Sequence, residues 1–324
     1  MKAPKVTASV VGARGYSGLE LTKLLIQHPA VNLLYGFATK PFQLTDDLMD
    51  SRAAGIKCMT DAELMNHLTD VVFLATPAEA SAELAPRLVE AGKTVIDLSN
   101  AFRFSPEMAD YGLAPFCGPW KSGTRLVANP GCYASAVNLA LMPLLKQGLI
   151  RPDSVVIDAK SGTTGAGRKA SESQLFAEVD GECLPYRVGQ HQHLPEIRMA
   201  ARKHANTDFS PHFVTHLLPT KRGISAAIFA KLKSDQGLES VESAYQSAYS
   251  NYPLVRFGHD IGKLAKLSHV VNTPFTHISY TVIEDKLYVF SCIDNLLKGA
   301  ASQAVENLNR YLDLPLHFSL TEEN

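Results

Sequence analysis

Val6-Thr7-Ala8-Ser9-Val10-Val11-Gly12-Ala13-Arg14-Gly15-Tyr16-Ser17-Gly18 decides the fold. A buried-strand pattern, Val6 to Val11, runs directly into three glycines spaced GxxGxxG. Leu19, Leu21, Leu24, Leu25 and His28 then follow as a helix that stops before Pro29. Strand, glycine-rich turn and helix in that order make a dinucleotide-binding entry. The glycines let the backbone approach a pyrophosphate, and the helix N-terminus points N–H groups at it. A plain tight turn would use the same residues, so Gly12, Arg14, Gly15, Tyr16, Ser17 and Gly18 stand as candidate cofactor contacts.

The next segments repeat the alternation. Asn32–Ala38, Asp70–Thr76 and Thr94–Leu98 read as strands, with a helix Glu79–Ala91 between the last two. Strands alternating with helices predict a parallel, doubly wound α/β sheet, whose ligands belong at the carboxyl ends of the strands. Those ends carry Thr39, Thr76-Pro77 and Ser99-Asn100. An acidic residue after the second strand would meet a ribose 2′-hydroxyl. Thr39-Lys40 stands there instead and, with Arg14, favours NADP(H) over NAD. Pro106–Gly123 reads as an irregular connection.

The same edge holds Asn129-Pro130-Gly131-Cys132. Pro130 and Gly131 force a turn, so Cys132 falls at the first turn of a helix, Tyr133–Gln147, that Pro143 kinks or restarts. A helix N-terminus favours thiolate over thiol, and a thiolate attacks acyl carbonyls. A small cysteine that only packs fits the placement equally well. Arg103, alone in the apolar run Ala101-Phe102-Arg103-Phe104, is either a clamp for a carboxylate or phosphate or a structural ion pair.

The totals bound the rest. The chain has 324 residues, enough for two domains, with 46% hydrophobic and 19% charged residues. A net charge of -1 gives no general attraction to nucleic acid or anionic membrane. Apolar runs are too short to span a bilayer, and the N-terminus has no signal-peptide organisation. Five scattered cysteines without CxxC spacing argue against disulfides or zinc and for a reducing cytoplasm.

Beyond about residue 150 the organisation changes. After a strand, Val155–Lys160, comes a second glycine-rich loop, Ser161 to Lys169, which holds Gly162 and ends in Arg168-Lys169. It suits a phosphate, or is simply a flexible loop. His191, His193 and Glu196 follow, with a helix from about Pro195 to His204. One histidine could shuttle a proton with Glu196 fixing its tautomer; a metal site lacks a third ligand. Strands at Phe213–Leu218, Ser225–Leu232, Thr276–Ile283 and Leu287–Cys292, with a helix Leu238–Tyr249, predict a mostly antiparallel sheet in an α+β domain. A last helix spans Asn295–Leu312 and returns to the first domain. The expected domains are thus 1–150 completed by 294–324, and 151–293.

Taken together, these pieces resemble the N-acetyl-gamma-glutamyl-phosphate reductases, in the wider family that includes aspartate-semialdehyde dehydrogenase. The resemblance rests on Gly12 to Gly18, Asp97 to Arg103, Asn129 to Tyr133, Ser161 to Arg168, His191 to Ile197 and Asp294 to Ala301, in the family's order. Asn100 and Gln192 depart from the residues the family often has there. The resemblance implies NADP(H), a nucleophilic Cys132, an acyl phosphate substrate, arginine biosynthesis and a homodimer or homotetramer. It also implies Asn295 near the nicotinamide. On this reading His193, or second His191, moves the proton and Glu196 orients the pair. Arg103 and Arg168, with Asn129, meet the substrate's carboxylate and phosphate, in an order left open, and Gly162 joins the cofactor contacts. An aspartate-semialdehyde dehydrogenase, a non-catalytic NADP-sensing protein and a cysteine hydrolase are the rival readings.

Overall fold

The computed structural model describes residues 6–168 and 171–321, so Lys169 lies outside the described residues. The chain divides into two compact units: Met1–Pro130 with Ala300–Asn324, and Gly131–Gly299.

The first unit holds seven strands: β1 (Val6–Val11), β2 (Val31–Ala38), β3 (Lys57–Thr60), β4 (Val71–Leu74), β5 (Thr94–Asp97), β6 (Asp110–Tyr111) and β7 (Leu126–Ala128). They form one sheet in the order β3-β2-β1-β4-β5-β7-β6, every neighbouring pair parallel. Helices α1 (Tyr16–Gln27) and α2 (Ala78–Glu90) are its crossovers. This is the doubly wound Rossmann-type sheet expected from the strand–helix alternation. Strand order reverses between β1 and β4, the place where such sheets take ligands. β4 is buried at all four positions, as expected of a strand covered on both faces, and Val11, Phe37, Val72, Leu74, Leu88 and Val95 lie in its core.

Residues 106–123 hold more order than the sequence suggested. β6 adds a parallel edge strand beside β7. Arg310 secures the stretch after it: Nε donates to Gly118 O at 2.6 Å, and Nη2 donates to Asp110 and to Pro119 O. These partners lie nearly 200 residues away in sequence, beyond any local pattern.

The second unit opens with α3 (Cys132–Lys146). It continues through β8 (Val156–Gly162), α4 (Phe176–Val179), β9 (Leu184–Tyr186), α5 (His193–Ala205), β10 (His212–Leu218) and β11 (Ile224–Lys231). Then come α6 (Leu238–Tyr249), β12 (Val255–Gly258), α7 (Ile261–Leu264), β13 (Thr276–Ile283) and β14 (Lys286–Ile293). Its sheet has the order β12-β13-β14-β11-β8-β10-β9. The β12–β13 and β8–β10 pairs are parallel and the other four antiparallel, a mixed and mostly antiparallel sheet.

The boundary between the units falls at Pro130, not near residue 150. α3 is the reason: it packs on α5, α6, β11 and β14, so it belongs with the second unit. The final helical segment also differs. A π-helical turn, Leu297–Ala301, precedes α8 (Ser302–Tyr311), and Asn295 stands ahead of both. α8 belongs to the first unit, where it packs on α1 and Asn309 Oδ1 meets His28 Nε2 at 2.8 Å.

α3 continues through Pro143 without a restart, one of the two outcomes expected there. Proline lacks the N–H that the carbonyl four residues earlier, Leu139 O, would accept. From Tyr133 to Leu145 the helix is buried, so water does not take that place. The Tyr249 hydroxyl of α6 donates to Leu139 O, and the Tyr245 hydroxyl donates to Ala140 O at 2.9 Å. In α2 the same problem at Pro86 has a cheaper solution, because Ala82, four residues back, is exposed. Tyr249→Phe should therefore cost about 1–3 kcal/mol through the carbonyl it leaves unsatisfied. Urea unfolding followed by far-ultraviolet circular dichroism checks this; an unchanged midpoint refutes it.

Candidate active site

In the first unit, the residues expected at the cofactor follow the carboxyl ends of parallel strands and so share one edge. Gly12 has φ +81°, and a Cβ there would meet Ala75 O at 2.3 Å. A Cβ at Gly18 would meet Gly12 O at 2.2 Å. Both positions demand glycine, one for the turn and one for the close approach of α1 to it. Gly15 is the N-cap of α1 and supplies no side-chain cap. That bare helix start fits a pyrophosphate.

Thr39 and Lys40 are exposed after β2, and Arg14 lies 3.7 Å from the Asp47 carboxylate. A cavity of about 450 Å³ opens beyond Lys40, lined by Pro41, Phe42, Gln43, Asp46, Cys58, Met59, Thr60 and Glu63. Pro77 caps α2, while Thr76 Oγ1 and Ser81 Oγ lie 2.8 Å apart. Ser99 is tied to Asp97: its hydroxyl donates at 2.8 Å and its N–H at 3.0 Å. Burial pushes the Asp97 carboxyl up, against these hydrogen bonds.

Two polar residues on this edge are occupied internally. Arg103 is buried, and it donates from Nε to Asn129 O and from Nη2 to Leu98 O, both at 3.0 Å. It ties the ends of β5 and β7 together. The Asn129 amide is fully buried; it donates to Ala300 O and accepts from Asn307 Nδ2, both at 3.1 Å.

In the second unit, Cys132 is half-buried and is the first residue of α3, which has no side-chain cap. Beside it, the Tyr133 ring takes His191 and His193 edge-on, at 5.1 Å and 5.9 Å between centroids. The two imidazoles are 4.9 Å apart. The Tyr186 hydroxyl donates to the Tyr133 hydroxyl at 3.0 Å. Burial raises both phenols, and the nearby Cys132 charge adds to each shift.

Nδ1 of His191 accepts from the backbone N–H of His193 at 3.2 Å, which leaves its proton on Nε2 when neutral. The start of α5 supplies that N–H. One oxygen of the Glu196 carboxylate accepts from Gly131 N–H at 2.8 Å and braces the turn ahead of Cys132. Burial, then the Arg187 charge, lowers the His191 pKa to about 4.

The loop after β8 is backed by the 220–223 turn. Thr163 N–H and Thr164 N–H donate to Thr220 O and Lys221 O. A Cβ at Gly162 would meet Arg222 N at 2.7 Å. Arg168 is exposed at the end of the loop. The Asn295 amide accepts from Gly223 N–H at 2.7 Å and donates to Thr164 Oγ1 at 3.0 Å.

Sequence reasoning passed over two features here. Arg222 makes a fork on the Asp294 carboxylate at 2.9 and 3.1 Å. Gly299 lies against Cys132. The cue for the first was Lys221-Arg222-Gly223, basic residues before a turn glycine; nothing local signalled the second. Among the described residues, no group of three or more His, Cys, Asp or Glu side chains could hold a metal ion, and no helix is long and apolar enough to cross a membrane.

Residues 7–122 match the family described as semialdehyde dehydrogenase, NAD binding domain, and residues 132–295 match semialdehyde dehydrogenase, dimerisation domain. The fold is that of aspartate semialdehyde dehydrogenase II from Vibrio cholerae, with a TM-score of 0.74 at 16% identity over 96% of this chain and 99% of that one. The chain is thus an oxidoreductase of the semialdehyde dehydrogenase class, built around a nicotinamide cofactor.

Nearer relatives narrow the class. N-acetyl-gamma-glutamyl-phosphate reductase of Brevibacillus brevis is 36% identical, covering 96% of each chain. The Streptococcus thermophilus enzyme of the same name is 38% identical over 93% of this chain and 94% of its own. The chain belongs to the N-acetyl-gamma-glutamyl-phosphate reductase family.

His191 makes stability depend on pH. Its unfolded pKa of 6.5 lies above the folded value of about 4, so the unfolded chain binds more protons between them. Stability is therefore full above pH 6.5 and is lost as pH falls toward 4, by up to about 3 kcal/mol. His191→Gln should flatten the fall in urea midpoint between pH 6.5 and 4; an identical slope in the variant rules the assignment out.

Proposed function

We propose that the protein reduces N-acetyl-L-glutamyl 5-phosphate to N-acetyl-L-glutamate 5-semialdehyde and phosphate, with NADPH, as a step of arginine biosynthesis. The observation that carries this reading is Cys132 at the uncapped start of α3, beside a tyrosine that holds two buried imidazoles.

The Cys132 thiolate attacks the acyl carbon. The new C–S bond replaces the carbon–oxygen bond to phosphate, which leaves with the electron pair. The bare helix N-terminus favours the thiolate and the tetrahedral oxyanion that forms beside it. Gly131 N–H is committed to Glu196, so the oxyanion donors are the amides after it. The resulting thioester is more readily reduced than a carboxylate. When bound, the dinucleotide supplies the hydride. Collapse of the thiohemiacetal then breaks the C–S bond and returns the thiolate.

His193 moves the proton. His191, with its pKa near 4, stays neutral at physiological pH and serves chiefly to set the aromatic cluster. Arg168, exposed on its loop, is our candidate for the phosphate. Arg103 and Asn129 shape the turn before Cys132 through their backbone and amide bonds. Gly12 to Gly18, Thr39, Thr76, Pro77 and Ser99 hold the dinucleotide, and Thr39-Lys40 favours its 2′-phosphate. The family resemblance adds Asn295 near the nicotinamide and Gly162 among the cofactor contacts. The second unit mediates assembly into a homodimer or homotetramer in the cytoplasm, in keeping with the family description of residues 132–295.

The test is phosphate-dependent reduction of NADP and of NAD with N-acetylglutamate semialdehyde, run beside aspartate semialdehyde. Turnover of the acetylglutamate substrate with NADP is expected; preference for the aspartate compound would shift the assignment. Cys132→Ser should abolish turnover and leave dinucleotide affinity near normal. His193→Ala should slow turnover by ~10²–10⁴-fold. Steady-state rates at saturating substrate read both, and full activity in either variant removes that residue from the mechanism.

A further inference from the structure

Gly299 is glycine for an unusual reason. It sits in the π-helical turn Leu297–Ala301, and its φ lies outside the left-handed region. Its backbone conformation therefore admits any residue, and glycine inside helical structure costs about 1 kcal/mol relative to alanine. Space is what demands it. A Cβ at Gly299 would meet Cys132 Cβ at 2.7 Å and Cys132 Cα at 3.1 Å. Neither atom is the end of a flexible side chain, so the start of α3 would have to move.

The turn itself has little freedom to retreat. Gly299 N–H donates to Asp294 O at 2.9 Å. The Asp294 carboxylate is fully buried and takes five donors. Arg222 supplies two, at 2.9 and 3.1 Å; Leu296 N–H and Leu297 N–H donate at 2.8 and 3.1 Å, and Asn272 N–H at 2.7 Å. A buried carboxylate with that many donors resists displacement.

We propose that Gly299 is a positioning residue: the Arg222–Asp294 pair fixes the π-turn, and the bare backbone of that turn sets where Cys132 carries its sulfur. The consequence for catalysis rests on Cys132 being the nucleophile; the consequence for the thiol itself does not. Misplacing a reacting atom by about 1 Å can cost ~10²-fold in rate.

The experiment compares Gly299→Ala with Gly237→Ala, a control in the same unit where a Cβ meets nothing within 4 Å. Two readings are taken on each: steady-state kinetics, and the pH profile of iodoacetamide alkylation at Cys132, followed by peptide mass spectrometry. Gly299→Ala should lower kcat by ~10²-fold with the KM for dinucleotide within about twofold of the parent. Its alkylation midpoint should move by ~0.5 pH unit or more, because the sulfur changes its place relative to the helix start. Gly237→Ala should change neither. Should Gly299→Ala fail to fold, Arg222→Lys, which keeps the charge but loses the fork, should show the same pair of changes. An unmoved alkylation profile in the folded variant overturns the proposal whatever the kinetics. A moved profile with full turnover upholds the positioning of the thiol and counts instead against Cys132 as nucleophile, which Cys132→Ser decides separately.

Discussion

A helix buried on every side must find a partner for each of its backbone polar groups inside the protein, and α3 is that helix. From Tyr133 to Leu145 it is buried around its whole circumference, mostly by apolar residues with Ser135 and Asn138 among them. Pro143 then takes one N–H out of a ladder that no water supplements. The second unit is arranged to answer this. Tyr249 and Tyr245 donate hydroxyls to two carbonyls of the helix, and Ser291 from β14 donates to Ala136 O at 2.7 Å. With its body held this firmly, the end of α3 is a fixed point in the fold. That is what allows a residue at its head to be aimed.

The head is finished by different means. There is no side-chain cap. Glu196 steadies the turn by taking Gly131 N–H, one residue ahead. A carboxylate at that place is favoured by the helix dipole. The tyrosine–histidine cluster adds a dry wall, and its phenols stay protonated because burial penalises their anions. Gly299 packs close against the same residue.

The first unit shows a parallel economy. Its parallel sheet reverses order between β1 and β4, and there the backbone comes so close to itself that Gly12 and Gly18 leave no room for side chains. α8, from the far end of the chain, contributes buried polar groups to the same unit. Gln303 and Asn307 donate to Gly112 O, and Arg310 collects the carbonyls of the segment after β6. Buried amides and a guanidinium used in this way satisfy loop carbonyls that have no strand partner.

What the residues determined by themselves was local or periodic. Strand–glycine–helix at the N-terminus, the alternation after it, and the proline–glycine turn before Cys132 each follow from a few neighbours' torsional and burial preferences. The parallel, doubly wound character of the first sheet, the mostly antiparallel character of the second and a helix beginning at or just after Cys132 all follow from that reading. Tertiary structure decided what depends on distant partners. α3 belongs to the second unit because it packs along its length on α5, α6, β11 and β14. It passed Pro143 because a tyrosine about a hundred residues away replaced the missing bond. Glu196 turned to Gly131, Arg103 to Leu98 and Asn129, and Arg222 to Asp294, because burial obliges every charge to find donors or acceptors, and only the folded chain determines which lie within reach.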